Sequence, residues 1–262
     1  TSAAYAESAA DRSFEVDAES LEVRLRYLRS LGPRAAVYAE LPWRRTWEGA
    51  LYGFIDTWHD MTGLPGAERE GQPRNRLLIA YQADGESLYR FDQPRSGLGD
   101  LPLGAGYQLF ASPGAAVSAW LTVKLPTGAA DRLTGSGAVD VALSVAAQRA
   151  VGERASLFGH VDVTRLGAGN LLPGLQEDLA WSGLAGLRVR AWRRLELAAQ
   201  LAANSRVFAA PGPAAGDALV LAFGGSWRGP GGWRLDLAIA EDVDVNASPD
   251  VSFNLAVSRV LR

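Results

Sequence analysis

A chain of 262 residues carries 26 Lys and Arg against 29 Asp and Glu, a net charge of −3, with no Cys and two His. The missing Cys excludes disulfides, iron–sulfur clusters and thiolate zinc sites, and two His exclude a multi-His metal centre. The acidic balance gives nucleic acid no electrostatic footprint, the 48% apolar content excludes a disordered chain, and no run of about 18 apolar residues encodes a membrane helix.

The chain opens at Thr1, with neither an initiator Met nor a signal peptide, which reads as a processed or partial chain. From there, twelve strands are predicted, near 1–10, 20–29, 34–42, 102–112, 115–124, 137–149, 154–166, 178–190, 194–205, 216–227, 232–241 and 249–261. Alternation carries them. In Val139-Asp140-Val141-Ala142-Leu143-Ser144-Val145 every odd position is apolar and every even one small or polar. The same pattern recurs in 195–201, 233–239 and 251–257. Most of the segments exceed the globular mode of about 5–6 residues and match the roughly 9–11 that a tilted membrane strand needs.

Residues 43–101 interrupt the series. Leu51, Phe54, Ile55, Trp58 and Met61 recur at helical spacing, so a helix is predicted over 47–62, stopped by Gly63 and Pro65. A short hairpin follows, 77–81 and 87–91 around Asp84-Gly85. The whole chain, 1–262, therefore reads as one domain with an insert at 43–101.

The connections sort by length. Tight turns join strands 2/3, 4/5, 6/7, 8/9 and 10/11. Longer Gly/Pro/Asp-rich stretches join the others, 1/2 among them. In an up-and-down meander this puts all tight turns at one end, together with both termini. The asymmetry fits an outer-membrane barrel with periplasmic turns. The expected fold class is thus all-β, an up-and-down transmembrane barrel of about twelve strands, with a helix-containing extracellular or plug insert.

In such a barrel the apolar set faces lipid and the polar set lines the lumen. Leu21, Val23, Leu25, Tyr27, Leu143, Leu197, Phe223 and Leu255 fall on the outward face. Arg24, Arg26, Lys124, Asp140, His160, Asp162, Arg188, Glu196, Arg234 and Asp236 fall on the lumenal one. Trp43, Trp120, Trp181, Trp192, Trp227 and Trp233 suit interface girdles, although Trp120 has inward parity.

Lys124-Leu125-Pro126-Thr127-Gly128 with Leu133-Thr134-Gly135-Ser136-Gly137 resembles outer-membrane transporters linked to phenol meta-pathway operons. Gly53 to Asp56, His59-Asp60, Gly63-Leu64-Pro65, Pro73 to Arg76 and Asn246 to Val251 are similar to an uncharacterised family of Gram-negative outer-membrane barrels. The resemblance spans about residues 20–260. It implies fold and location, and transfers no catalytic residue. The ending Val260-Leu261-Arg262 departs from the terminal aromatic usual in such barrels.

No enzyme is expected. Ser156 and His160 share a strand face about 13 Å apart, too far for a nucleophile–base pair. His160 and Asp162 read as a lumenal polar pair. Asp242-x-Asp244-x-Asn246 opens like a calcium loop but lacks the following Gly and a twelfth-position Glu. No cofactor or metal is called for. The expected partners are membrane lipid, lipopolysaccharide, and a small solute or partner protein. Phe54, Trp58, His59, Arg74 and Arg76 mark the insert as the constriction or plug. Arg44, Arg45, Arg74 and Arg76 would hold it through Asp140 or Glu196, or meet lipopolysaccharide phosphates. Two functions remain open, a passive channel for a small solute in the outer membrane with both termini periplasmic, or a plugged structural or partner-binding barrel.

Overall fold

A computed structural model describes residues 2–9, 11–50, 53, 76–209, 216–243 and 251–260. Among these, fifteen strands form one antiparallel sheet. They are β1 (Ser2–Ala9), β2 (Arg12–Ser30), β3 (Ala35–Trp47), β4 (Leu78–Ala83), β5 (Glu86–Phe91), β6 (Arg95–Leu98), β7 (Leu101–Ser112) and β8 (Ala115–Leu125), followed by β9 (Asp140–Val151), β10 (Ala155–Arg165), β11 (Leu179–Arg190), β12 (Leu195–Asn204), β13 (Ala218–Arg228), β14 (Trp233–Asp242) and β15 (Val251–Arg259).

Twelve of these, β1 to β3 and β7 to β15, follow chain order around the wall, with β2 paired to β3, and the β1–β15 pairing brings the two ends of that order together. The join between β1 and β15 is the single pair Ser2 opposite Val251. Toward the tight turns, β2 beyond Glu19 and β15 beyond Val251 have no strand paired between them among the described residues. The wall is therefore not a fully hydrogen-bonded cylinder.

The alternation in the sequence becomes two unlike faces. Leu25, Leu143 and Leu255 are 71%, 60% and 69% exposed, whereas among the described residues the only large side chains buried to below 2% are Tyr81 and Val251. A soluble sandwich turns its apolar faces together into a core. Here the apolar face points outward around the wall, which only a lipid-like surrounding stabilises. Exposed aromatics edge this belt at both ends. Trp192, Trp227 and Trp233 lie by the tight turns, and Trp181 near the start of β11 lies by the long loops.

Three expectations are corrected. The first is the strand count, which rises from twelve to fifteen because β4, β5 and β6 join the sheet within 43–101. The second concerns the connection after β1. Ala9 pairs with Arg12, so a tight turn replaces the expected long stretch, and β2 runs on for 19 residues. As a result Ser2 sits level with Glu19 and Val251 at the long-loop end, not at the tight-turn end. The third is the start of the helix expected over 47–62. Trp47 closes β3 and residues 48–50 are not helical, whereas Gly53 is helical and the remainder of the expected helix lies outside the described residues.

The parity of β2 explains the missed strand. Along 21–27 the apolar residues are odd, but Phe14, Val16 and Ala18 are even. The strand keeps one face throughout, and that face changes from polar beside the wall to apolar beyond it. A sequence reading sees the alternation break at 19–20 and places a loop there.

Candidate functional site

The polar face of the wall carries most of the ion pairs among the described residues. On β2 and β3, Glu22 lies opposite Arg44 and Arg26 opposite Glu40. Arg26 Nε donates to Glu40 at 2.7 Å, and Arg24 lies between Glu40, at 3.7 Å, and Glu22, to which it donates. Arg44 also donates to Glu22. The result is a ladder of alternating sign in which Arg24 and Arg26 remain 59% and 60% exposed. Water therefore reaches this face.

Beside the ladder, two aromatics lie flat on the wall. Tyr38, Gly104 and Thr122 are in register across β3, β7 and β8, as are Ala36, Gly106 and Trp120. A Cβ on Gly104 would overlap the Tyr38 ring, and one on Gly106 the Trp120 ring. The two glycines are the recess that admits these rings. The rings pack with centroids 5.7 Å apart, Tyr38 shares a 2.9 Å hydroxyl hydrogen bond with Thr122, and the Arg26 guanidinium caps Tyr38 at 5.1 Å. Trp120 is thus part of the polar face and is removed from the girdle set.

The remaining sequence-derived positions share that face in separate groups. His160 Nδ1 is 3.8 Å from Asp162, beyond hydrogen-bond range, and Asp162 instead accepts from Ser182 Oγ at 2.6 Å. The Ser182 hydroxyl is thus turned to a carboxylate rather than to the imidazole that would activate it. Arg188 stacks on Phe158 at 5.0 Å. Near the tight turns, Arg228 Nη2 donates to both Glu196 oxygens at 3.0 Å, and Asp236 holds Arg234 and Ser226.

Lys124 and Asp140 stand at the opposite rim. Lys124 bridges Asp100 at 2.9 Å and Asp140 at 2.6 Å, and donates to Ser136. Asp100 also accepts the Gly128 and Ser136 amides at 2.9 Å each, and Asp140 the Gly167 amide at 2.9 Å. Burial alone would raise the Asp100 carboxyl, but Lys124 and these amides outweigh it and hold it below the usual range. The motif residues 124–128 and 133–137 are therefore the knot that folds the β8–β9 connection back onto the rim. Among the described residues Asp140 is paired with Lys124 and Glu196 with Arg228.

Of the insert positions, Phe54, Trp58, His59 and Arg74 lie outside the described residues. Arg76 donates to Glu15 on the extended part of β2, away from the polar face. Arg44 serves Glu22, and Arg45 lies over Trp47 at 5.4 Å.

Sequence reasoning missed the structure at the mouth. β1, the extended part of β2, β4 and β5 form a four-stranded sheet that projects past the long-loop rim. Tyr81 and Ala83 bury against Leu172 of the β10–β11 connection, with Phe14, Tyr89, Leu175 and Phe208 packed around them. In ring order β10–β11 lies opposite β1–β2, so the projecting sheet reaches across the mouth. The Tyr89 hydroxyl is buried without a hydrogen-bond partner, and burial together with the charge of Asp131 pushes it up to about 12. The signal was present in Asp84-Gly85 and in Phe14, Val16 and Ala18, but the partner Leu172 is distant in sequence.

An antiparallel wall with an apolar belt, two aromatic edges and an ion-paired second face is the fold of an outer-membrane β-barrel. It is similar to the crystal structure of the COG4313 outer membrane channel from Pseudomonas putida F1. That match has a TM-score of 0.61 and 14% identity, over 98% of this chain and 89% of that one. A Pseudomonas aeruginosa FadL homologue matches with a TM-score of 0.41 and 12% identity, over 94% of this chain and 66% of that one. The Pseudomonas putida toluene transporter TodX matches with a TM-score of 0.43 and 11% identity, over 90% and 74%. No curated protein matches. Residues 1–259 match the family described as protein of unknown function (DUF3187), and the chain belongs to that family.

Proposed function

We propose that this protein is a passive channel of the bacterial outer membrane for a small solute, with the tight turns in the periplasm and the 43–101 insert narrowing the outer mouth. The observation that carries this reading is the division of the wall into an apolar outer face and a polar inner face on which the paired Arg24, Arg26 and Arg228 stay more than half exposed. The inner face offers a solute ion-paired side chains and the Tyr38–Trp120 shelf, and no group on it is arranged for covalent chemistry. Solute would move down its own gradient. Arg24, Arg26, Lys124, Asp140, His160, Asp162, Arg188, Glu196, Arg234 and Asp236 are the proposed lumen-lining set.

The cluster around Tyr81 favours a second reading, in which the mouth is shut and the barrel acts as a structural or partner-binding element. Swelling of liposomes that contain the purified chain separates the two. A channel admits small sugars and amino acids at rates that fall with solute size. Swelling no faster than empty liposomes, with the chain inserted, supports the shut barrel.

A further inference from the structure

The tight-turn end is the least internally satisfied part of the molecule. Arg29 and Arg34 flank the first turn, and Arg149 and Arg154 the turn between β9 and β10. Arg193 and Arg194 make the turn between β11 and β12, and Arg259 ends β15 at the same rim. All are exposed, and none reaches a carboxylate among the described residues. Glu153 is the one acid in these turns. Glu196 and Asp236, also near this end, lie on the polar face and are occupied by Arg228 and Arg234.

These arginines are continuous with the aromatic edge of the apolar belt. The Arg259 guanidinium lies 5.2 Å over the Trp233 ring, and Trp192 directly precedes Arg193. Arg29, Arg149 and Arg259 share parity with the outward residues Tyr27, Val145 and Val257. An exposed indole at the end of a lipid-facing belt sits at headgroup depth. A guanidinium beside it presents a planar fork that matches a phosphate bidentately.

We propose that this rim binds the phosphates of anionic phospholipid, phosphatidylglycerol being the type, in the leaflet it faces. The inference rests on the membrane-barrel reading and adds a lipid preference to it. Charge complementarity and continuity with the belt select a lipid over a protein. The charges stand at three of the five tight turns and at the end of β15 instead of forming one patch.

The test uses the full chain in vesicles of phosphatidylcholine with increasing phosphatidylglycerol, one or the other brominated to quench nearby tryptophan. The expected result is a preference for phosphatidylglycerol of roughly threefold or more that collapses at about 0.5 M salt. Combined Arg29→Gln, Arg149→Gln, Arg193→Gln and Arg259→Gln should abolish most of it. Arg165→Gln, a pair with Asp178 at the other rim, should leave it unchanged. Equal quenching by both lipids, or a preference indifferent to the four substitutions, would overturn the proposal. So would a rim that ignores phosphatidylglycerol but holds an acidic protein. Heat-modifiable gel mobility on the same vesicles reports insertion. A chain that inserts without lipid preference defeats this inference alone, and one that does not insert defeats the membrane reading as well.

Discussion

The two rims of the wall use charge in opposite ways. At the long-loop rim Lys124 neutralises two carboxylates, Asp100 gathers backbone amides, and a small apolar cluster buries Tyr81 to 1% exposure. At the tight-turn rim the arginines outside the inner face point to solvent with no acid to meet them. The first rim is organised as a small folded domain is, by internal satisfaction of its polar groups. The second is organised as a surface that expects its counter-charges from outside. Substitutions at the first should therefore cost stability, and those at the second should cost interactions.

The largest effect is expected at Tyr81. Tyr81→Ala removes the one large aromatic buried in the cluster, with a loss of about 3–5 kcal/mol confined to the projecting sheet. Limited proteolysis should then cut near Asp84-Gly85 while the wall stays resistant. Cutting of the wall at the same rate would show that the two regions do not fold separately.

Lys124→Met comes next. It leaves Asp100 and Asp140 facing each other without their cation, at about 3 kcal/mol for a part-buried pair. Hydrogen exchange over 126–138 should rise while that over 152–154 does not. Acid acts on the same knot. Because the folded Asp100 carboxyl is held below its ordinary value, its contribution is complete above about pH 4 and is lost as pH falls through the lowered value. Protection over 126–138, corrected for the intrinsic pH dependence of exchange, that does not fall as the carboxyl is protonated would contradict the role given to Asp100.

The faces of the wall differ by somewhat less. Leu143→Arg places a guanidinium in the lipid belt, at about 2–4 kcal/mol near the midplane. Gln148→Arg, on the polar face of the same strand, should cost under about 1 kcal/mol. Urea-induced unfolding from vesicles measures both, and equal costs would remove the distinction between the faces. The smallest effect is expected at the tight-turn rim, where Arg193→Gln should change stability by no more than about 0.5 kcal/mol in detergent.

Much of the wall was legible because its physics is local. Val141, Leu143 and Val145 alternate with Ala142 and Ser144 because each strand meets lipid on one side and water on the other. A period of two records that directly. Lys124 and Asp140 share a parity with Ala142 and Ser144 and lie opposite each other in register. The mouth was not legible. Phe14 and Tyr81 are buried by Leu172, some 90 to 160 positions away, and no local period encodes that contact. The second half of β2 reads as a strand and its first half as a loop because the environment of one continuous face changes partway along it. Trp120 followed its inward parity onto Gly106, so the alternation was a better guide than the preference of tryptophan for interfaces.

The most direct test of the central claim is single-channel conductance of the purified full chain in planar lipid bilayers. The account predicts discrete, ohmic steps that grow when Tyr81→Ala loosens the sheet across the mouth. Silence from both the parent chain and the variant, with insertion shown by heat-modifiable mobility, would contradict an open lumen and leave the shut, partner-binding barrel.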